Sequence, residues 1–191
     1  TVELCGPYVD GFVINVSSPN TPNLRELQKD EDLARIITEV KRYSASKPVL
    51  VKIAPDLEDV VIKSIVDTSI ELGCAGIVAT NTTIDRPDDS SIMSEKGGLS
   101  GKPLNKRSTE VIRLIADHTD GKWPIIGVGG ISNSEDAWEK ISNGASLIQI
   151  YSSMVFNGAS VVKEIVNGLE RKLKSKGMTD LRQAVGCSRR E

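Results

Sequence analysis

Residues 11–23 read Gly-Phe-Val-Ile-Asn-Val-Ser-Ser-Pro-Asn-Thr-Pro-Asn. The apolar start predicts a short buried strand, and the two prolines beyond it prevent the strand from continuing. The strand therefore ends in a group of amide and hydroxyl side chains, which can donate or accept hydrogen bonds. In parallel α/β proteins this end of a strand is where ligands bind, although a Ser/Asn/Pro-rich turn without a ligand has the same composition.

Four further apolar runs follow at 48–55, 76–80, 124–128 and 146–151, and the segments between the runs read as helices. Helices are predicted near 30–42, 57–72, 106–118, 134–143 and 159–174, followed by a short helical tail at 180–185. Asp30 and Ser134 are the expected N-caps, and Gly73 is the expected C-cap. Strands that alternate with helices and are apolar throughout predict an α/β fold with a parallel sheet covered on both faces.

Both a doubly wound sheet and a (β/α)8 barrel fit this alternation. Neither glycine-rich loop matches a dinucleotide fingerprint or a Walker loop. The last two strands end in Val-Gly-Gly-Ile-Ser (128–132) and Tyr-Ser-Ser (151–153), which suit a phosphate held by backbone N–H groups, as after strands seven and eight of a barrel. The barrel is therefore favoured. Because five strands in 191 residues are too few to close it, we expect either missing βα units or an open half-barrel.

The composition excludes several classes of protein. Charged residues make up 26% and the net charge is −2, which does not suit a nucleic-acid partner. The three cysteines are far apart and form no CxxC pair, which argues against a disulfide framework or a structural zinc. No apolar run approaches the ~20 residues that cross a bilayer, and no targeting segment is recognisable. We expect residues 1–191 to form one domain, with a long functional or mobile loop near 84–102.

Lys52 is the most specific single signal in the sequence. It lies in the middle of the apolar run 49–53, and period-two alternation places it on the same face as Leu50, pointing into a barrel interior. A buried ammonium group costs several kcal/mol unless it is paired. Its partner is either an anionic or electron-rich ligand, which we favour, or an acidic residue on another strand.

Polar side chains also follow the third strand, at Thr80-Asn81-Thr82-Thr83. An Asx-type turn has the same composition, but beside the first strand end and Lys52 this group indicates a planar polar ligand held by asparagines. His118, the only histidine, falls at a helix end and is interpreted as a surface residue. No histidine base, triad or metal cluster is recognisable, so a proton transfer would need a hydroxyl at the first strand end. Trp123 and Trp138 are interpreted as packing residues.

Six segments of the sequence resemble one family strongly. They read Asn-Val-Ser-Ser-Pro-Asn-Thr-Pro-Asn-Leu-Arg at 15–25, Val-Lys-Ile-Ala-Pro-Asp-Leu at 51–57, Thr-Asn-Thr-Thr at 80–83, Gly-Gly-Leu-Ser-Gly-Lys-Pro-Leu at 97–104, Ile-Ile-Gly-Val-Gly-Gly-Ile at 125–131 and Gly-Ala-Ser-Leu-Ile-Gln-Ile-Tyr at 144–151. In this order they resemble the membrane-associated, quinone-using class of dihydroorotate dehydrogenase, over essentially the whole chain. The resemblance implies an FMN-binding (β/α)8 TIM barrel, of which this chain supplies about five C-terminal βα units.

The resemblance also implies an activity, the oxidation of dihydroorotate to orotate in de novo pyrimidine (UMP) biosynthesis. Ser18 matches the base that removes the C5 proton of the substrate while a hydride passes to flavin N5, and the soluble class has cysteine at this position. Lys52 matches the lysine beside the flavin ring. The positions that match pyrimidine-binding residues are Asn15, Asn20, Asn81 and Thr82. The positions that match flavin-binding residues are Asn15, Lys52, Thr80, Ser100, Gly101, Gly129, Gly130, Tyr151 and Ser152.

The chain also departs from the family. The family barrel has an N-terminal half with the first strands and a substrate-contacting lysine, preceded by a helical segment that docks on the membrane and forms the quinone tunnel, and neither is recognisable here. The resemblance implies a ubiquinone-type acceptor and, in a eukaryote, a peripheral location at the mitochondrial inner membrane. We expect a fragment that is inactive unless another chain completes the barrel. The open alternatives are a different FMN barrel enzyme and a non-catalytic half-barrel that binds flavin, a partner chain or a second copy of itself.

Overall fold

A single parallel sheet forms the centre of the fold. The computed structural model describes residues 1–28, 30–86 and 96–189. The strands are β1 (Phe12–Asn15), β2 (Val49–Ile53), β3 (Gly76–Ala79), β4 (Ile125–Val128) and β5 (Leu147–Gln149). They pair in parallel in the order β1-β2-β3-β4-β5, so each strand lies beside its neighbour in the chain. The predicted parallel α/β sheet is confirmed.

The helices are α1 (Val2–Cys5), α2 (Asp30–Tyr43), α3 (Asp59–Glu71), α4 (Asn105–His118), α5 (Ser134–Ser142), α6 (Ser152–Asn157), α7 (Ser160–Ser175) and α8 (Leu181–Ala184). Short 3-10 helices lie at Gly6–Tyr8, Leu24–Gln28, Lys102–Leu104 and Cys187–Arg189. The predicted helices are confirmed as α2, α3, α4, α5, α7 and α8. Helix α6 is not predicted, because six residues are too few to show helical periodicity. Across the described residues, no helix combines the length and the apolar character needed to cross a bilayer.

Two of the predicted helix caps lie at the start of α2 and at the end of α3. The C-cap of α3 is Leu72, so the predicted C-cap Gly73 is wrong by one residue. Gly73 follows the cap in a left-handed conformation (φ +68°), and its N–H donates to the Ile70 carbonyl. Helix α2 begins at Asp30, and the side chain of this predicted cap lies outside the described residues. Residues 87–95, which form the middle of the predicted long loop, also lie outside them.

The N-cap of α5 is Asn133, not Ser134. The Asn133 side chain accepts hydrogen bonds from the N–H groups of Glu135 and Asp136, both at 2.9 Å. Ser134 is the first residue inside the helix. The predicted cap is therefore wrong by one residue, because asparagine and serine are equally good caps and periodicity does not decide between adjacent positions.

The helices cover one face of the sheet, which we call the outer face. The side chains of β1 to β4 that are buried in the main core on this face are Ile14, Val49, Val51, Ile53, Ile77, Ala79 and Ile125. A second buried cluster packs α5 against α7 and includes Trp138 and Ile165. Trp123 packs against the main core and donates its indole N–H to the Cys74 carbonyl at 3.2 Å. Both tryptophans are packing residues, as predicted.

The opposite face of the sheet, which we call the inner face, is only partly covered within the described part of the chain. The register places a row of side chains on it, namely Asn15, Lys52, Val78, Ile126 and Leu147. Apolar side chains on the two edge strands are open, since Val13 is 45% exposed and Leu147 is 60% exposed. In the described part of the chain, the predicted cover on both faces is therefore found at the centre of the sheet, where Val78 is 1% exposed, but not at the edge strands, because apolar composition does not show what packs against a strand.

Candidate active site

The carboxyl ends of the strands surround one cavity of about 930 Å³. All the predicted site residues except Asn15 line it, namely Ser18, Asn20, Lys52, Thr80, Asn81, Thr82, Ser100, Gly101, Gly129, Gly130, Tyr151 and Ser152. Strands of a parallel sheet that point the same way deliver their end loops to the same edge, which explains why segments up to 134 residues apart meet here. The structure therefore brings the predicted residues together, while their individual roles stay predictions.

Asn15 does not line the cavity, but its side chain on the inner face supports a residue that does. Its side-chain carbonyl accepts hydrogen bonds from the Ser17 hydroxyl at 3.1 Å and from the Asn81 amide at 3.0 Å. The same Asn81 amide donates to the Ser17 hydroxyl at 3.0 Å, and the Asn81 carbonyl accepts from the Thr82 N–H at 2.9 Å. This network links the ends of β1 and β3 and orients the Asn81 side chain.

Ser18, the predicted base, lies half-buried at the end of β1. Its hydroxyl oxygen accepts a hydrogen bond from the Asn20 N–H at 3.3 Å. Among the described residues, no histidine or carboxylate is hydrogen-bonded to this hydroxyl, and His118 instead lies 2.7 Å from Asp67 between α4 and α3. In this part of the chain Ser18 therefore has no conventional catalytic partner, and its basicity would depend on a dry, ordered site.

Lys52 extends from β2 into the cavity as a half-buried cation. Burial lowers the pKa of its ammonium group. Within 1–28, 30–86 and 96–189, its ammonium group forms no ion pair or hydrogen bond, so an acidic partner on another strand is not found there. The arrangement favours an anionic or electron-rich ligand beside Lys52.

Glycines shape the side of the cavity at the end of β4. Gly129 (φ +135°) and Gly130 (φ +68°) have positive φ, and a Cβ at Gly130 would lie 2.6 Å from the Cβ of Asn105. The Asn105 amide donates to the Gly130 carbonyl at 3.0 Å, and Ser108 donates to the Val128 carbonyl at 2.8 Å. The turn 129–130 therefore packs tightly on the first turn of α4 and presents bare backbone to the cavity.

Hydroxyl groups close the cavity between two loops. The side chains of Ser100 and Ser152 are hydrogen-bonded at 2.8 Å, which joins the loop before α4 to the start of α6. Gly101, beside them, has φ +84°. Thr83 and Leu99 form an antiparallel bridge that fixes the loop 96–101 against the end of β3.

The sequence patterns do not identify two polar groups that support this edge of the sheet. The first is Arg25 with Asp56 and Gln28, although Arg25 and Asp56 lie inside the segments 15–25 and 51–57. The second is Lys140 in α5, which is fully buried. Its ammonium group donates to the Asn105 carbonyl and to the Thr109 hydroxyl. No pattern marks Lys140, because a lysine in a helix is ordinarily a surface residue.

Comparison with known proteins shows which family the chain is similar to. The family model described as dihydroorotate dehydrogenase matches residues 1–173. A protein named dihydroorotate dehydrogenase (quinone) from Trichodesmium erythraeum is 51% identical, over 96% of this chain and 50% of the relative. A protein of the same name from Halobacterium salinarum is 46% identical, over 98% of this chain and 53% of the relative. The family resemblance of the sequence is confirmed.

Solved structures show the same relationship. The crystal structure of DHODH in complex with ferulenol from Eimeria tenella matches with a TM-score of 0.94 and 34% identity, over 100% of this chain and 57% of that chain. The ligand-free form matches with a TM-score of 0.92. The chain spans about half the length of the curated relatives it matches. Its open five-stranded sheet is accordingly part of a (β/α)8 barrel.

Proposed function

The chain belongs to the dihydroorotate dehydrogenase family, and from this premise we propose that it supplies the FMN- and pyrimidine-binding part of an enzyme that oxidises dihydroorotate to orotate. The observation that carries the proposal is the meeting of Ser18, Lys52 and Asn81 at one cavity. These residues come from the ends of three neighbouring strands and supply a base, a cation and an amide. The relatives named above support a quinone as the electron acceptor.

The residues present fit FMN. Lys52 is a cation that lacks a protein partner among the described residues, and it would lie beside the flavin ring. The turn 129–130 and Gly101 line the cavity with positive φ and present backbone to it, as a phosphate cradle requires, and the Ser152 hydroxyl lies next to Gly101. Thr80, Ser100 and Tyr151 complete this proposed flavin site. FMN, when bound, would supply the acceptor for the hydrogen that leaves C6 of the substrate with its electron pair.

Ser18 would take the proton from C5 of dihydroorotate, so that the electron pair of the C5–H bond forms the C5=C6 double bond of orotate. The N–H of Asn20 donates to the Ser18 oxygen and would stabilise negative charge that develops on it. The Ser18 hydroxyl would pass its own proton to solvent as it takes the proton from C5, so the side chain is a neutral hydroxyl again when the step is complete. The amide groups of Asn20 and Asn81 and the hydroxyl of Thr82 would hold the pyrimidine ring, with Asn15 orienting Asn81 and lying against the flavin.

We also propose that residues 1–191 are the C-terminal portion of one barrel domain and are inactive alone. Within the described residues, strands β1 and β5 each have a neighbour on one side only, and Val13 and Leu147 are exposed on the inner face. Such edges and faces favour pairing with further βα units, supplied by the rest of the protein or by a second copy of the chain. For a eukaryotic source, the proposal extends to docking at the mitochondrial inner membrane through a segment outside this chain.

The flavin site is tested by titrating FMN into the purified chain and recording the visible absorption of bound flavin. We expect Lys52→Met to weaken binding by about tenfold, as for loss of one charge-assisted hydrogen bond. The matched control is Lys63→Met, because Lys63 is an exposed lysine of α3 outside the cavity. Equal binding by both variants would contradict the proposed place of FMN.

The alternative function is a non-catalytic half-barrel, and the exposed inner face is the observation that favours it. The proposal that the chain is inactive alone is tested by assaying the purified chain for oxidation of dihydroorotate with a quinone as acceptor. Activity in this assay would contradict that proposal. Sedimentation of the same sample at several concentrations distinguishes a monomer from a self-associating chain. If the completed enzyme keeps full activity with Ser18→Ala, Ser18 is not the base.

A further inference from the structure

Arg25 contacts the loops that follow three different strands. It lies in the 3-10 helix Leu24–Gln28. Its Nε donates to the Ser17 carbonyl at 3.0 Å and its Nη2 to the Thr82 carbonyl at 2.9 Å. Its Nη1 donates to the Asp56 carboxylate at 2.8 Å. Ser17 follows β1, Asp56 follows β2 and Thr82 follows β3, so one side chain joins three loops that are distant in sequence.

The chemistry of these contacts requires arginine. A guanidinium group presents five N–H donors in a rigid plane, so it can reach two carbonyls and a carboxylate in fixed directions. A lysine would bring one charge on a flexible chain and could not hold all three acceptors in the same geometry. The Arg25 and Asp56 side chains are only 21% and 19% exposed, which limits screening of their ion pair by solvent.

Further hydrogen bonds hold both the Asp56 carboxylate and the backbone of Arg25 in place. Asp56 accepts further hydrogen bonds from the Thr83 hydroxyl and from the Ile84 N–H, so it is held by the loop after β3 as well as by Arg25. Gln28 is 2% exposed. Its amide donates to the Arg25 carbonyl at 3.2 Å, while its carbonyl accepts from the Ala54 N–H at 3.1 Å. The backbone of Arg25 is therefore fixed to the end of β2, and its side chain cannot shift without breaking several hydrogen bonds.

We propose that Arg25 is a positioning residue that holds the loops of Ser18 and Asn81 at the distance the reaction requires. This inference rests on the proposed function. The Ser17 carbonyl bound by Arg25 belongs to the residue before Ser18, and the Thr82 carbonyl belongs to the residue after Asn81. Arg25 itself does not line the cavity, so it acts through the loops that do.

The test uses NMR spectra of the ligand-free chain, whose mass is 20.6 kDa. The first readout is the side-chain amide signal of Asn81, which donates to Asn15 and Ser17. The internal reference is the side-chain amide of Asn143, the C-cap of α5, which donates to the Glu139 carbonyl of that helix at 2.8 Å. We expect Arg25→Lys to move the Asn81 signal and to leave the Asn143 signal in place.

The second readout is hydrogen exchange of the loop N–H groups of Asn20, Thr82 and Ile84, each hydrogen-bonded to a side chain. We expect exchange about tenfold faster or more at all three in Arg25→Lys, as for loss of hydrogen bonds to a charged group. The matched control is Arg35→Gln, which removes an ion pair with Asp32 on the surface of α2. That variant should leave both readouts unchanged.

Two outcomes for Arg25→Lys would overturn the proposal, and a second variant covers the case in which Arg25→Lys does not fold. Arg25→Lys with the wild-type Asn81 signal and wild-type exchange would overturn it, because charge alone would then suffice. Changes confined to residues next to Arg25 would overturn it as well. If Arg25→Lys does not fold, Asp56→Asn serves as the second variant, and it must speed exchange at Ile84 for the proposal to stand. Neither readout needs a ligand, so a failure here concerns Arg25, whereas a failure of the proposed function would show as a lack of FMN binding.

Discussion

The buried lysine of α5 makes the stability of the fold depend on pH in a defined way. Burial of Lys140 lowers the pKa of its ammonium group from 10.5 to about 8, and the nearby carboxylates of Glu139 and Asp136 offset part of this effect. The acceptors that face the group from α4 are uncharged, being the Asn105 carbonyl and the Thr109 hydroxyl. A neutral amine can still donate to both acceptors, so loss of the proton removes the cost of a buried charge without leaving them unpaired.

The sign of the effect follows from the two pKa values of Lys140. Below pH 8 the lysine is protonated in both the folded and the unfolded chain, so it adds no pH dependence. Between about 8 and 10.5 the folded chain has released the proton while the unfolded chain keeps it, so the free energy of unfolding rises with pH. At 1.36 kcal/mol for each pH unit, the gain over this window is about 3 kcal/mol.

The assay is urea unfolding of the wild type and of Lys140→Met, followed by circular dichroism at pH 7, 8, 9 and 10. We expect the free energy of unfolding of the wild type to rise relative to the variant by about 1 kcal/mol between pH 8 and 9, and by about 2 kcal/mol at pH 10. Other titrating groups, such as Cys74, whose thiol pKa burial raises, are present in both proteins and cancel in the difference.

Parallel pH profiles for the two proteins would refute this reasoning, and so would a difference that falls as the pH rises. The exposed Lys63→Met variant provides the control, since it should follow the wild type at every pH. If Lys140→Met does not fold, Lys140→Gln keeps a polar end group for the same two acceptors and removes the titration. The comparison is then made with that variant.

Two further substitutions test local geometry by urea unfolding. Gly130→Ala should lower the free energy of unfolding by about 1–3 kcal/mol, because φ is positive and a Cβ there would lie 2.6 Å from Asn105. Gly158→Ala is the control and should cost less, since Gly158 has a similar φ but no atom within 4 Å of the added Cβ. Equal losses in the two variants would contradict the steric argument. Asn133→Ala should cost about 1 kcal/mol as loss of an N-cap, and Ser134→Ala should stay within about 0.5 kcal/mol; the reverse order would return the cap to Ser134.

The parts of the structure that follow from periodicity are the ones that the sequence predicts. Lys52 is correctly placed on the inner face because a strand alternates with period two over only a few residues. Helix α6 is too short to show a period, and the caps of α5 differ by one residue between equally good candidates. Local patterns thus predict which element a residue occupies.

The contacts that hold the site together depend on residues far apart in the chain. Arg25 meets Thr82 across 57 positions, and Lys140 meets Asn105 across 35, so neither partner is visible from a local pattern. The covered inner face was predicted from apolar strands such as β1, yet Val13 is exposed because nothing described packs on it. An apolar sequence predicts that a surface tends to be buried, but it does not predict which part of the protein packs against that surface.

The strand order also determines how the fold can assemble. Each strand pairs with the next strand along the chain, so no pairing has to wait for a distant segment. Each parallel pairing still closes a long loop, as between Ile77 and Ile125, which slows folding relative to local contacts, but a growing chain can add one strand and helix at a time. During synthesis, each new strand can therefore pair with the edge strand that was added before it, and it then offers its own free edge to the strand that follows.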